Sequence, residues 1–369
     1  MEKACKDYAS RIDTNMTIAC SDASANLPLV SIIVPVHNSA QFLREALDSV
    51  LEQTYPKIQI SLYDDCSTDD SIEIIQRFSS TNDLQSGLTV LLTTAAEKGR
   101  VSPGGAGFAR NRAVEACSGE ILVFLDSDDV MFPRRVELQV QALVREEHQN
   151  AIVGTRFIRD PEGCTPYYTA WMNAMSPRDL YLHQYRECTV IFPTWSMWKR
   201  TFFSNGKFPE EQRKYPEDLD FFNKHLSNGG ALYKVDEVLT IYRHHSNCIS
   251  KQYPGRLLQQ VRIPYFESRV LKYWQSFTIW GAGKDGRRFI NDLSPAISNN
   301  VVAFCDVDDK KIGRDYYFIK LKKYIPIIHC EDAQPPFVIC VGTKRYNGAI
   351  EKNIKSLGWI EGIHYFHFM

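Results

Sequence analysis

The chain has 369 residues and a formal net charge of −1, which gives room for two or three domains and no global field to recruit a polyanion. Its ten cysteines are scattered without a C-x-x-C pair, a pattern that points to neither a zinc site nor a disulfide framework and fits free thiols in a reducing compartment. Residues 1–28 read as a flexible polar tail with Lys3, Lys6, Asp7 and Arg11 interspersed, without the apolar core of a signal peptide, and no run is long enough to span a bilayer, so a cytosolic location without membrane contact is expected.

Leu29–Val36 is apolar and β-branched and reads as a buried parallel strand. Phe42–Leu51 has helical spacing, and Ile58–Tyr63 is a second strand ending in Asp64 and Asp65. Ser71–Phe78 reads as a helix capped by Asp69 or Asp70, followed by a strand over Leu88–Leu92, a helix over Gly107–Cys117 and a strand over Ile121–Leu125. Alternating strands and helices argue for a parallel α/β sheet. After about residue 150 the rhythm breaks. Residues 160–200 are rich in aromatics, Pro and Trp, and suit a binding wall. Residues 251–272 read as a helical connector, and Ser276–Trp280 and Val301–Cys305 open a second α/β unit over 273–369.

The strand Ile121–Leu125 ends abruptly in Asp126, Asp128 and Asp129. In an open α/β sheet, strand C-termini face the ligand crevice, and carboxylates there are hard ligands for Mg²⁺ or Mn²⁺ carrying a phosphorylated substrate. An acidic loop capping the next helix is the competing reading. The other elements ending at the same edge are Pro35-Val36-His37-Asn38, Asp64-Asp65 before a turn-forming Ser and Thr, and Arg110 near a helix start, where guanidinium and backbone N–H groups favour phosphate.

Four such elements in this order resemble the family 2 glycosyltransferases, which have the GT-A nucleotide-diphospho-sugar transferase fold. The resemblance covers residues 29–250. It implies donor binding by Pro35, Val36, His37, Asn38, Asp64, Asp65, Arg110, Asp126 and Ser127, with Asp65 accepting the uracil N3–H. It also implies a Mn²⁺ or Mg²⁺ ion at Asp126 and Asp128. The acidic stretch at Glu217 and Asp218 matches the family's base motif, with Asp218 as general base, Glu217 placing the acceptor, and inversion as the outcome. Ile241-Tyr-Arg-His-His245 resembles another family element and adds His245 to the metal site. Trp195 falls where the family shapes its pockets and is expected to stack on a sugar or base, with a core role as the alternative. Within the family, stretches in both halves of the chain resemble a member that moves galactose from UDP-galactose to queuosine in tRNA-Tyr. A transferase using UDP-N-acetylglucosamine on a glycan or protein is the alternative, and an inactive transferase-like scaffold a further one.

The C-terminal unit carries Gly281-x-Gly283-x-x-Gly286 after a strand, and Asp306 ends the next strand 20 residues beyond Gly286. On pattern alone this is a dinucleotide fingerprint, so an NAD-binding oxidoreductase or sensor is a competing class. Few residues follow Asp306, which favours a Rossmann-like structural module. Residues 273–369 hold 13 Lys and Arg against 10 Asp and Glu. Lys320, Lys322 and Lys323 lie among aromatics, and they are the expected grip on RNA phosphates, against a solvated face.

Overall fold

The computed structural model describes residues 27–82, 88–210, 215–246, 248, 253–342, 354 and 358–368. Nearly all of the N-terminal tail lies outside them. The strands are β1 (Val30–Val36), β2 (Ile58–Asp64), β3 (Thr89–Thr94), β4 (Ile121–Phe124), β5 (Val130–Met131), β6 (Ala151–Asp160), β7 (Ser196–Trp198) and β8 (Ala231–Arg243), then β9 (Phe277–Trp280), β10 (Val301–Asp306), β11 (Asp315–Phe318), β12 (Lys323–His329), β13 (Phe337–Ile339) and β14 (Tyr365–His367).

The first eight form one sheet in the order β3-β2-β1-β4-β7-β6-β8-β5. Strands β3, β2, β1 and β4 are parallel, as alternation of strands and helices requires. Beyond β4 the sheet is mixed, because β7 runs antiparallel to β4 and β6, and β5 antiparallel to β8. The parallel part expected from the sequence is thus extended by a mixed half that the sequence pattern does not resolve. β7 has only three residues, too few to carry a periodic signal, and the chain reaches it from the reverse direction through the aromatic segment after β6. Cores cover both faces of the sheet. One contains Ile32, Val34 and Leu47, the other Ile33, Phe124 and Trp195.

The remaining strands form a second sheet in the order β11-β12-β10-β9-β13-β14. All its pairings are parallel except β11 with β12. The expected connector is the helix Gly255–Arg269. It is no loose tether. Val261 and Leu258 pack into the core that holds Phe124 and Trp195, while Ile263 and Phe266 pack into the core of the second sheet with Tyr185. The rotation of the helix thus sends one face to each sheet.

Candidate active site

The C-terminal ends of β1, β2 and β4 open into a cleft of about 1040 Å³, at the upper end of small-molecule sites. Its floor follows β1. Pro35, Val36, His37 and Asn38 line it. Asn38 sits at φ +51°, a left-handed conformation that Asn tolerates because its short polar side chain bonds locally. Its Oδ1 accepts from Thr68 N at 2.8 Å, and the His37 ring lies 2.7 Å from Asp65 O through Nδ1.

Asp65 lines the cleft and accepts from Gly104 N and Gly105 N, each at 2.8 Å, which staples the loop before the helix Ala106–Ala116. Asp64 behaves differently. Successive strand residues face opposite ways. Asp64 is buried, takes Ser67 N at 3.2 Å and is not among the cleft-lining residues. Its other oxygen, Oδ1, is buried without a partner among the described residues.

Arg110 lies a turn inside its helix and so reaches sideways, not toward the free N–H groups at the helix start. Its Nη2 donates to Asp126 Oδ1 at 2.7 Å and its Nη1 to Glu217 Oε1 at 2.5 Å. The guanidinium sits 4.1 Å from the Phe192 ring centroid. Burial opposes its charge, but Asp126 and Glu217 outweigh burial and raise its pKa. Each terminal nitrogen donates to one protein carboxylate, so Arg110, which also lines the cleft, bridges Asp126 after β4 and the helix Glu217–Ser227.

After β4, Ser127 Oγ meets Ser39 Oγ at 2.7 Å, and Asp128 Oδ2 meets His245 Nε2 at 2.8 Å. Asp129 is buried. It accepts from Arg243 N at 2.8 Å, and its Oδ2 has no partner among the described residues. Ligand atoms of Asp126, Asp128 and Asp129 lie within 4.8 Å of one another, as do those of Asp128, His245 and Cys248. Burial, then Asp126, raises the Asp128 carboxyl, and burial raises Asp129 well above the usual range. Crowded acids with an orphaned buried oxygen and an imidazole are a donor set that fits a hard divalent cation such as Mn²⁺ or Mg²⁺.

Opposite these acids, the helix Glu217–Ser227 starts at the cleft. Gly107 permits this approach, since a Cβ there would stand 2.9 Å from Glu217 Cγ. Burial pushes the Glu217 carboxyl up to about 7, against the pull of Arg110. Burial likewise raises Asp218, and Arg110 opposes it. Asp218 Oδ1 accepts from Leu219 N at 2.8 Å, and the side chain lines the cleft. A carboxylate with a raised pKa and one oxygen fixed by the backbone suits proton abstraction.

Trp195 does not reach the cleft. It is fully buried, its Nε1 donates to Val190 O at 2.7 Å, and its ring packs against Phe192 and Phe222. Stacking on a ligand is corrected to a core role, because the turn Phe192–Thr194 points the next side chain inward. Two of the three candidate RNA-binding lysines are also engaged. Lys323 Nζ donates to Asn299 O at 2.9 Å and Val301 O at 3.1 Å, and Lys320 Nζ to Asn291 O. These bonds brace the second sheet, while Lys320 and Lys322 stay on its exposed surface. In the glycine fingerprint, Asp306 accepts from Ala282 N at 3.0 Å and pairs with Lys311 at 2.9 Å. A Cβ on Gly286 would stand 1.9 Å from Gly281 O. Gly281, at φ +109°, Gly286 and the acid are used by the turn itself, while a Cβ on Gly283 would meet nothing within 4 Å.

Residues 31–206 match the model described as Glycosyl transferase family 2. The chain is a glycosyltransferase, and residues 31–206 are where it resembles family 2. The transferase is 24% identical to the glycosyltransferase GlyG of Streptococcus pneumoniae over 60% of this chain and 73% of that one. It is 28% identical to TuaG of Bacillus subtilis, named for teichuronic acid biosynthesis, over 60% and 82%. An uncharacterized glycosyltransferase of Rickettsia typhi is 30% identical over 59% of this chain and 64% of its own length. S. aureus TarS in complex with UDP-GlcNAc superposes with a TM-score of 0.52 at 19% identity, over 74% and 84% of the two chains. The mannosyltransferase PcManGT from Pyrobaculum calidifontis, in complex with GDP-Man and Mn²⁺, gives 0.50 at 20% identity over 67% and 65%. At these identities the structures establish the shared GT-A-like fold. No helix among the described residues is long and apolar enough to cross a membrane.

Sequence reasoning missed Ser39, Glu187, Tyr253 and Arg262, which also line the cleft. Arg262 carried a legible signal. It is a charge at helical spacing from Leu258 and Phe266, on a face otherwise apolar.

Proposed function

We propose that this transferase moves the sugar of a UDP-sugar onto an acceptor hydroxyl with inversion. Asp218 takes the hydroxyl proton, Glu217 places the acceptor, and Asp126, Asp128 and His245 hold Mn²⁺ or Mg²⁺. The observation that carries this reading is the single cleft lined by Asp126, Asp128 and His245 together with Glu217 and Asp218. When bound, the cation neutralises charge on the departing diphosphate. Arg110 tunes both sides, since it holds Asp126 and Glu217 at once. Asp65 fixes the loop beside the donor base, and Pro35, Val36 and His37 form the floor under it.

The donor we favour is UDP-galactose, and the acceptor is the queuosine of cytosolic tRNA-Tyr. Support for both comes from the sequence resemblance that extends through the two halves of the chain. The second reading is transfer from UDP-N-acetylglucosamine to a glycan or protein. It is favoured by relatives such as the one named for teichuronic acid biosynthesis and by the neighbour bound to UDP-GlcNAc. A panel of UDP-sugars against queuosine-bearing tRNA and glycan acceptors, read as acceptor-dependent UDP release, separates the two. Release with UDP-galactose and tRNA supports the first; release only with glycans replaces it.

A further inference from the structure

The cleft is also lined by Glu187, Arg262, Tyr168 and Tyr242, which the donor reading leaves unused. The first two form an ion pair. Glu187 Oε1 lies 3.5 Å from Arg262 Nη2 and accepts Cys188 N at 3.0 Å. Arg262 is only 7% exposed, yet it lines the cleft, and its Nε is buried with no partner among the described residues. An unpartnered buried guanidinium nitrogen costs free energy unless a ligand or water meets it. The Glu187 side chain keeps 33% of its exposure. Tyr168 and Tyr242 form a wall of the same cleft, and the Arg159 guanidinium is 3.8 Å from the Tyr242 ring centroid.

We propose that Glu187 and Arg262 form the acceptor subsite and bind a neutral vicinal diol, with the connector helix Gly255–Arg269 supplying Arg262. This rests on the transferase reading above. The chemistry selects the class. A carboxylate accepts from two adjacent hydroxyls, and a guanidinium donates to their oxygens. A phosphate at the same place would stand against Glu187, with Asp218 and Glu217 adding further repulsion. Tyrosine rings offer an apolar surface with a polar edge, as the C–H face of a ring diol requires. The helix that seats the second sheet is then also a wall of the acceptor pocket, so acceptor recognition depends on chain beyond the family-matched residues.

The test uses the full chain with UDP and Mg²⁺. Saturation-transfer NMR reads binding of methyl β-riboside, a neutral cis-diol unlike the donor sugar, and of ribose phosphate, the same diol with an anion. The wild type binds the neutral diol. Glu187→Gln, which is isosteric, and Arg262→Met each weaken that binding about tenfold or more, the loss of a charged hydrogen bond. UDP affinity stays within about twofold, which also reports folding. If Arg262→Met fails to fold, Glu187→Gln alone decides. Unchanged diol binding in the variants, preference for ribose phosphate, or no diol binding by wild type would each overturn the proposal. Diol binding as expected, with no UDP-sugar consumed by wild type, would leave the subsite standing and remove the transferase reading instead.

Discussion

Arg110 Nη1 donates to Glu217 Oε1 at 2.5 Å, and both side chains are under 10% exposed. The second terminal nitrogen holds Asp126. One cation therefore ties the end of β4 to the start of the helix that carries Asp218. Removing one partner of a buried pair strands the other charge. Arg110→Met should lower stability by about 3–5 kcal/mol. Adding Glu217→Gln should recover part of that loss. Urea unfolding of the four members of the double-mutant cycle checks this, and additive losses would show that the pair is not coupled.

Asp218 lines the cleft with one oxygen held by Leu219 N. Its task lies in the transition state. Asp218→Asn should cut turnover by about 10²–10⁴-fold while donor affinity stays close to wild type. UDP release together with calorimetric UDP-sugar binding checks both halves. Near-normal turnover would transfer the role to Glu217, whose carboxyl burial pushes up to about 7.

The parallel strands β1, β2 and β4 were legible because β1 and β4 are apolar runs, β2 alternates Ile58, Ile60 and Leu62 with polar residues, and each is followed by polar or acidic residues. The acids at 126, 128, 217 and 218 were legible as types, since carboxylates at strand ends and helix starts carry their chemistry openly. Four things were not. Strand β7 is too short for a period. Trp195 follows a turn whose direction depends on tertiary packing, and its flanking Phe192 and Pro193 look alike in a core and in a pocket wall. Arg110 was assigned to phosphate from its place near a helix start, but its partner lies 107 residues away in sequence, and no local pattern reveals that. Lys320 and Lys323 read as free cations because the carbonyls they brace belong to distant turns.

The cluster of Asp126, Asp128 and His245 should bind donor diphosphate through the cation. UDP should raise the melting temperature of wild type only with Mn²⁺ or Mg²⁺ present, by an amount equivalent to about 2.7 kcal/mol at a hundredfold excess over Kd. Asp128→Ala should abolish the shift, and EDTA should reverse it. Differential scanning fluorimetry reads this directly. An equal shift without metal would remove the cation from donor binding.

Glu361 joins the two halves of the molecule. Its Oε1 meets His367 Nδ1 at 2.9 Å and its Oε2 lies 3.5 Å from His183 Nε2. Burial works to raise this carboxyl, but hydrogen bonds and charge from the two histidines prevail and bring it down to about 2. A folded pKa below the unfolded value of about 4.3 means that the contribution is complete above that value and is lost as pH falls toward the folded one. The expected window of acid loss is therefore from pH about 4.3 down to about 2, with a ceiling of about 3 kcal/mol before solvent screening is discounted. Glu361→Gln should lower stability at neutral pH and flatten this limb, since the glutamine amide does not titrate. Chemical denaturation at a series of pH values reads the slope. Parallel acid limbs for the variant and the wild type would show that the histidines do not hold Glu361 as a charged clamp.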